Sequence, residues 1–116
     1  MDLHALGRFA DPAVLILSSL AGGDRHGYAL IKDIEDFAEV TLGPGTLYGA
    51  ISRLEERGLI EALPAKERRR PYRLTATGAQ ALRTYLQHAR QVTTAGHTTL
   101  VRKTLTAIRP AMISPS

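Results

Sequence analysis

The chain has 116 residues, 44% of them apolar and 22% charged. This is expected for one soluble domain that buries a core without needing disulfides or bound metals. It contains no Cys, so disulfides, thiolate catalysis and Cys-ligated zinc sites are excluded. No apolar run approaches the ~20 residues that cross a bilayer, and residues 1–12 lack the basic start and apolar stretch of a signal peptide. We therefore expect a cytoplasmic protein without membrane contact.

The net charge of +4 is unevenly distributed along the chain. Residues 1–67 contain all 11 acids and carry a balance of −5, whereas residues 68–116 contain no acid and carry +9. Clustered Lys and Arg attract polyanions and raise association rates, so this asymmetry favours a phosphate-rich partner. A solvated basic surface explains the same composition, and both interpretations stay open at this point.

The first predicted helix begins at Asp11-Pro12, where Asp is a good cap and Pro fits the first turn. Residues 13–23 are apolar on nearly every side and end in two glycines. Such a helix is buried, either beneath other helices or against a second copy of the chain.

A second helix is expected after Arg25-His26-Gly27. We expect His26 to order the loop or pack at the helix start, and Tyr28 to be structural. The predicted inward stripe consists of Leu30, Ile31, Ile34, Phe37 and Ala38.

The third helix has clear limits, since Pro44 suits its first turn and Gly58 suits a left-handed residue just past its end. Its apolar positions repeat with helical spacing and predict one buried stripe. They are Leu47, Ala50, Ile51 and Leu54.

The opposite side of this helix combines small residues with one long cation. Gly45, Gly49 and Ser52 permit close approach of a large polar partner, and Arg53 is long enough to reach into it. Arg53 has two compatible interpretations: a bidentate contact with a guanine edge, or an ion pair with Glu56 one turn later.

Two strand-like runs, residues 59–63 and 71–75, follow the third helix and flank a basic loop. The pattern predicts a hairpin whose edges are limited by Pro64 and Pro71. The loop is either a DNA-contacting element or a solubilising turn. Its position after a helix with a small-residue face favours DNA contact by its cations, Lys66, Arg68, Arg69 and Arg70.

The spacing of apolar residues in the C-terminal part predicts a helix with an apolar seam suited to packing along another helix. Its apolar residues advance by three and four positions. Because residues 92–99 are poor helix formers, we expect the helix to weaken there and to resume over 100–108. We expect residues 110–116 to be disordered. The seam positions are Ala79, Leu82, Leu86 and Ala89.

The sequence offers no catalytic or metal-binding constellation, so we expect neither an enzyme nor a cofactor. The histidines His4, His26, His88 and His97 lack ligand spacing. The serines lack the setting of a strained nucleophile, and GPGTLYG matches neither phosphate-loop nor dinucleotide motifs.

Three segments together resemble the PadR family of bacterial winged-helix transcription regulators: HGYALIKDIE at 26–35, GPGTLYGAISRLEERGLI at 43–60 and RRRPYRLTATG at 68–78. The resemblance spans about residues 12–90, with the motifs in the order and spacing of the family. It departs where Gly49 replaces a common Pro, and where the wing reads AKERRR without a Gly.

The resemblance implies a mainly α, α+β fold: a winged-helix domain at 1–75 with a two-stranded wing, a dimerisation helix region at 76–109 and a disordered tail at 110–116. It implies a homodimeric repressor that binds double-stranded DNA, with Tyr48 directed toward a phosphate. Aromatic effectors bind between subunits in some members, and Leu15, Val92 and Leu100 are candidates for such a pocket. The implied DNA-binding residues are Gly45, Thr46, Tyr48, Gly49, Ser52, Arg53, Lys66, Arg68, Arg69, Arg70 and Tyr72, and the implied dimerisation residues are Leu15, Leu82, Leu86, Ala89 and Leu100.

Overall fold

The computed structural model describes the backbone of residues 11–112 and the side chains of residues 11–106. The fold is mainly helical with a small antiparallel sheet, as the sequence predicts. The chain divides after Arg83 into two compact units. The elements in order are α1 (Pro12–Leu20), β1 (Arg25–His26), α2 (Gly27–Ala38), α3 (Pro44–Glu56), β2 (Ile60–Ala62), β3 (Pro71–Leu74) and α4 (Ala76–Met112).

Helix α1 is the centre of the hydrophobic core. Its cap is as predicted, because the Asp11 carboxylate accepts a hydrogen bond of 2.8 Å from the Ala13 N–H. The helix packs against α2, α3 and β3, so elements of the same chain cover it. The core consists of Leu15, Ile16, Leu17, Leu20, Leu30, Ile34, Leu42, Leu47, Ala50, Ile51, Leu54, Ile60, Tyr72 and Leu82.

A polar cluster joins α1 to α2 and to the start of the sheet. The buried Ser19 hydroxyl donates to the Asp33 carboxylate over 2.6 Å. Arg25 donates from Nε to the Ser19 carbonyl over 3.1 Å, and the same Nε lies 3.6 Å from Asp33. These contacts fix β1 against the helices.

Helix α2 turns its predicted stripe to the core except at Phe37, with Ile31 and Ala38 packed against the core. Leu30 and Ile34 are fully buried, whereas Phe37 is half exposed, which corrects its predicted inward position. Phe37 has the same angular position as Leu30 around the axis. Ala38, the last residue of α2, still packs against the core, so the exposure in this turn is confined to the Phe37 side.

Helix α3 has the limits that the sequence predicts. It begins at Pro44 after the N-cap Gly43 and ends at Glu56. Gly58 has φ of +70°, and the N–H groups of Gly58 and Leu59 donate back to the last turn over 2.9 and 3.0 Å. Its predicted stripe is at most 3% exposed.

The sheet has one strand more than the predicted hairpin. Strands β2 and β3 pair antiparallel, with Glu61 opposite Arg73. The two-residue strand β1 pairs with the other edge of β3, which places Arg25 opposite Tyr72. The strand order β1-β3-β2 joins the start of α2 to the wing.

Helix α4 is continuous from Ala76 to Met112, so the predicted weakening at residues 92–99 is wrong. The hydroxyls of Thr93, Thr99 and Thr106 donate to carbonyls three or four residues earlier, over 2.9 to 3.1 Å. These bonds satisfy the hydroxyls inside the helix, so the threonines do not interrupt it. Among the described residues, no helix combines the length and apolar content needed to span a bilayer.

Candidate nucleic-acid interface

The face of α3 opposite the core is open to solvent. Thr46, Ser52 and Arg53 are exposed, and Tyr48 is half exposed. Arg53 forms no ion pair with Glu56, and its guanidinium lies over Gly49 instead, 3.6 Å from where a methyl group on Gly49 would be. The small residues and the cation therefore share one accessible surface, on which Gly45 is exposed and Gly49 half-buried.

The wing closes in a two-residue turn despite its lack of Gly. The backbones of Lys66 and Arg69 exchange two hydrogen bonds of 2.7 and 2.9 Å. The residues between them, Glu67 and Arg68, have φ of +52° and +66°. Positive φ at both central residues is the type I′ geometry that matches the twist of a hairpin, and side chains other than Gly and Asn adopt it only with strain.

The wing cations have no acidic partners among the side chains that the structure describes. Arg70 donates to the Leu63 carbonyl over 3.1 Å across the hairpin. In contrast, Arg73 pairs with Asp24 at 3.2 Å and with Glu61 at 3.8 Å. Two carboxylates of the fold thus compensate the charge of Arg73. The charges of four wing cations are not compensated by any described side chain: Lys66, Arg68, Arg69 and Arg70.

His26 contacts α2 and the wing at the same time. Its Nδ1 accepts a hydrogen bond of 3.3 Å from the Ala29 N–H, and its Nε2 lies 3.2 Å from an Arg69 nitrogen. Both partners are donors, and a neutral imidazole accepts at only one nitrogen. His26 therefore either caps α2 or accepts from Arg69, and each bond excludes the other.

An open cavity of about 490 Å³ joins the start of α2, α3 and the wing. The Tyr48 hydroxyl lies so close to Gly27 that a methyl group on Gly27 would overlap it. Sequence reasoning missed His26, Gly27 and Tyr28 as members of this surface. The HGY motif marked the position, but only the long-range pairing of β1 with β3 brings it to the wing. The lining residues are His26, Gly27, Tyr28, Tyr48, Arg68, Arg69, Arg70 and Tyr72.

Tyr72 lies at the buried end of this cavity, with only 7% of its surface exposed. Burial is the main cause of a raised Tyr72 pKa; the Glu55 carboxylate and Tyr48 add to the shift, and Arg70 opposes it. The phenol therefore stays protonated at neutral pH and is available as a hydrogen-bond donor.

The predicted dimerisation residues are placed in two different environments. Leu15 and Leu82 are 3% and 6% exposed in the core of one chain. Leu86 and Leu100 are 45% and 65% exposed on α4, and Ala89 is half-buried. The exposed large apolar side chains of α4 are Leu86, Val92, Leu100, Val101 and Leu105.

The other predicted sites add no chemistry. No group of three His, Asp or Glu side chains that could hold a metal ion occurs in the described part of the chain, and His4 lies outside it. For the proposed effector pocket, Leu15 is in the core, whereas Val92 and Leu100 are exposed.

Comparison with known proteins identifies the family. The model of the transcriptional regulator PadR-like family matches residues 16–84. A protein of a Streptomyces fradiae transposon is 45% identical over 75 residues, and the Escherichia coli transcriptional regulator YqjI is 37% identical over 71 residues. These alignments cover 65% and 60% of this chain, but only 22% and 34% of the relatives, so the chain spans about a third or less of their length.

Solved structures agree with the sequence match. A PadR family transcription regulator from Clostridium difficile is 30% identical, with a TM-score of 0.70, and the alignment covers 77% of this chain and 97% of that one. A PadR-like regulator from Bacillus cereus has the same TM-score at 22% identity, covering 81% and 97%, which shows the shared fold. Since the family model covers more than half of the sequence, the chain belongs to the PadR-like family of transcriptional regulators.

Proposed function

We propose that this protein is a homodimeric, sequence-specific DNA-binding repressor that recognises a pseudo-palindromic operator. Residues 46–56 of α3 enter the major groove with their small side chains against the base pairs. The wing cations contact the flanking phosphates or the minor groove, where negative potential is concentrated.

One observation carries the DNA-binding proposal: a single open surface connects Tyr48 of α3 with Arg68, Arg69 and Arg70 of the wing. None of the side chains described for residues 11–106 supplies a carboxylate partner to these arginines. A recognition helix and a group of free cations on the same surface fit the two parts of DNA recognition, base reading and phosphate contact.

The dimer proposal rests on α4. Leu86 and Leu100, together with Ala89, form a seam that the described residues leave open. Exposed apolar surface of this kind marks an interaction site, and a second copy of the same helix satisfies the seam spacing. Two recognition helices related by a two-fold axis read half-sites about 34 to 36 Å apart, or a multiple of that distance.

Selection from a random duplex pool, followed by measurement of the mass of the retained complex, tests the whole proposal. We expect enrichment of an inverted repeat bound by two chains. Failure to retain any duplex at moderate salt would instead indicate a winged helix used for protein contact. Loss of the retained complex on addition of aromatic compounds would support the proposed effector.

Two substitutions separate base reading from phosphate contact. Arg53→Ala should reduce discrimination at one base position by ~1 to 3 kcal/mol. Arg69→Ala should weaken binding to all sequences and lower the slope of log affinity against log salt by about one. The charge-matched control is Arg83→Ala, whose side chain contacts Gln80 outside the candidate surface. An Arg53→Ala variant with unchanged affinity for every duplex would contradict its base-reading role.

A further inference from the structure

The cavity at the start of α2 contains an accessible donor that no described residue uses. Tyr72 is 7% exposed, and its hydroxyl forms no hydrogen bond within the described part of the chain. Every fully buried side-chain oxygen or nitrogen in the described part of the chain has a hydrogen-bond partner. Since the Tyr72 hydroxyl has none, it is not fully buried. It is accessible through the cavity that Tyr72 lines. A protonated phenol in this position donates to an acceptor that enters from outside.

The first turn of α2 supplies a further donor to the same cavity. Gly27 and Tyr28 are the first two residues of the helix, and both line the cavity. Because Pro71 has no N–H, the pairing of His26 with Pro71 uses the Gly27 N–H as a donor to the wing, so the Tyr28 N–H is the one left without an acceptor. The next N–H, of Ala29, donates to His26 whenever Nδ1 is the accepting nitrogen of that ring. Helix N-termini attract anions because the N–H groups and the helix dipole point the same way.

The charges around the cavity favour an anion. Arg68, Arg69 and Arg70 line it, and Arg70 is held in place by its bond to the Leu63 carbonyl. The acid near Tyr72 is Glu55, whose effect on the Tyr72 pKa is smaller than that of burial. Three cations against one carboxylate leave the site positive, and Tyr48 adds a second hydroxyl at its edge.

We infer that this cavity binds one backbone phosphate of duplex DNA. The inference rests on the proposed function and extends it from α3 and the wing tip to the start of α2. The Tyr72 and Tyr48 hydroxyls and the Tyr28 N–H donate to the phosphate oxygens, while the arginines supply charge. One phosphate then joins the wing to α2 and fixes the depth at which α3 enters the groove.

The first experiment tests the anion site without DNA. The full chain is titrated with sodium phosphate against sodium chloride of equal ionic strength, and backbone amide shifts are recorded. We expect saturable shifts of the Tyr28 amide with phosphate only. Tyr72→Phe should weaken this binding about fivefold, the loss of one hydrogen bond, and Arg70→Gln should weaken it similarly. Tyr85→Phe, on α4, is the matched control and should leave it unchanged.

The second experiment asks whether the anion is a DNA phosphate. In the duplex retained from the random pool, each phosphate is replaced in turn by an uncharged methylphosphonate. Neutralising any contacted phosphate should weaken binding by the wild-type chain, but at one position per half-site Tyr72→Phe should add no further loss. Additive losses at every position would overturn the assignment.

The two experiments distinguish failure of this inference from failure of the proposed function. Duplex binding without saturable phosphate shifts at the Tyr28 amide overturns the phosphate site and leaves DNA recognition by α3 intact. Phosphate shifts without retention of any duplex overturn both the DNA-binding proposal and the assignment of the anion to DNA.

Discussion

At the scale of single residues, the Tyr72 ring contributes to the core while its hydroxyl faces the cavity. Burial raises its pKa above the ordinary value of 10.0, with smaller additions from Glu55 and Tyr48 and a lowering by Arg70. The unfolded chain therefore loses this proton at a lower pH than the folded chain. The contribution of the protonated Tyr72 phenol to folding stability is fully present below pH 10. It is lost as the pH rises through the raised Tyr72 pKa of the folded chain.

This shift predicts a specific loss of stability in alkali. Between about pH 8 and about pH 11, the free energy of unfolding should fall less for Tyr72→Phe than for the wild type, because Phe has no proton to lose. Urea unfolding at both pH values measures the difference. Tyr28→Phe is the control, since the Tyr28 side chain is 62% exposed. Equal losses for Tyr72→Phe and the wild type would contradict the buried phenol.

At the scale of elements, the strain of the wing turn is concentrated in Glu67 and Arg68. Arg68→Gly should relieve a left-handed conformation and stabilise the hairpin by on the order of 1 kcal/mol. Hydrogen exchange of the Lys66 and Arg69 amides, which close the turn, should slow by about fivefold. Arg68→Ala is the matched control, because it removes the same charge and keeps the positive φ. If both variants exchange at the wild-type rate, the turn has another geometry.

The helices follow from the sequence because their information is local. Leu47, Ile51 and Leu54 repeat with the helical period, and Pro44 and Gly58 mark the ends of α3, so its buried stripe and limits are predicted correctly. The continuity of α4 was missed because propensity does not count hydroxyl bonds within the helix. Long-range pairing is equally invisible to a local pattern.

Strand β1 shows the same limit at the candidate site. Its two residues are too few to carry an alternating pattern, and it is stabilised by pairing with β3. His26 and Arg69, in contact in the fold, are 43 positions apart. The exposed face of α3 and the wing cations are therefore readable from the sequence, whereas the cavity that joins them is not.

At the scale of the whole molecule, the proposed dimer depends on the apolar side chains of α4. Leu100→Asp places a carboxylate in the proposed seam, where burial without a partner is costly, and should shift the chain to monomers. Sedimentation over a range of concentrations measures the change. Thr98→Asp introduces the same charge on the far side of the helix and should leave the dimer intact. Since Leu100 is exposed in one chain, both variants should keep the fold of the unit ending at Arg83.

The charge of helix α4 affects the proposed dimer, because residues 76–112 contain five basic residues and no acid. Two copies of the helix that meet along the seam repel each other, and added electrolyte weakens that repulsion. Electrolyte weakens protein–DNA attraction as well, through competition with counterion release. Rising ionic strength should therefore promote self-association while it opposes operator occupancy. At low protein concentration, occupancy should pass through a maximum at an intermediate ionic strength, which a fluorescence anisotropy series would reveal.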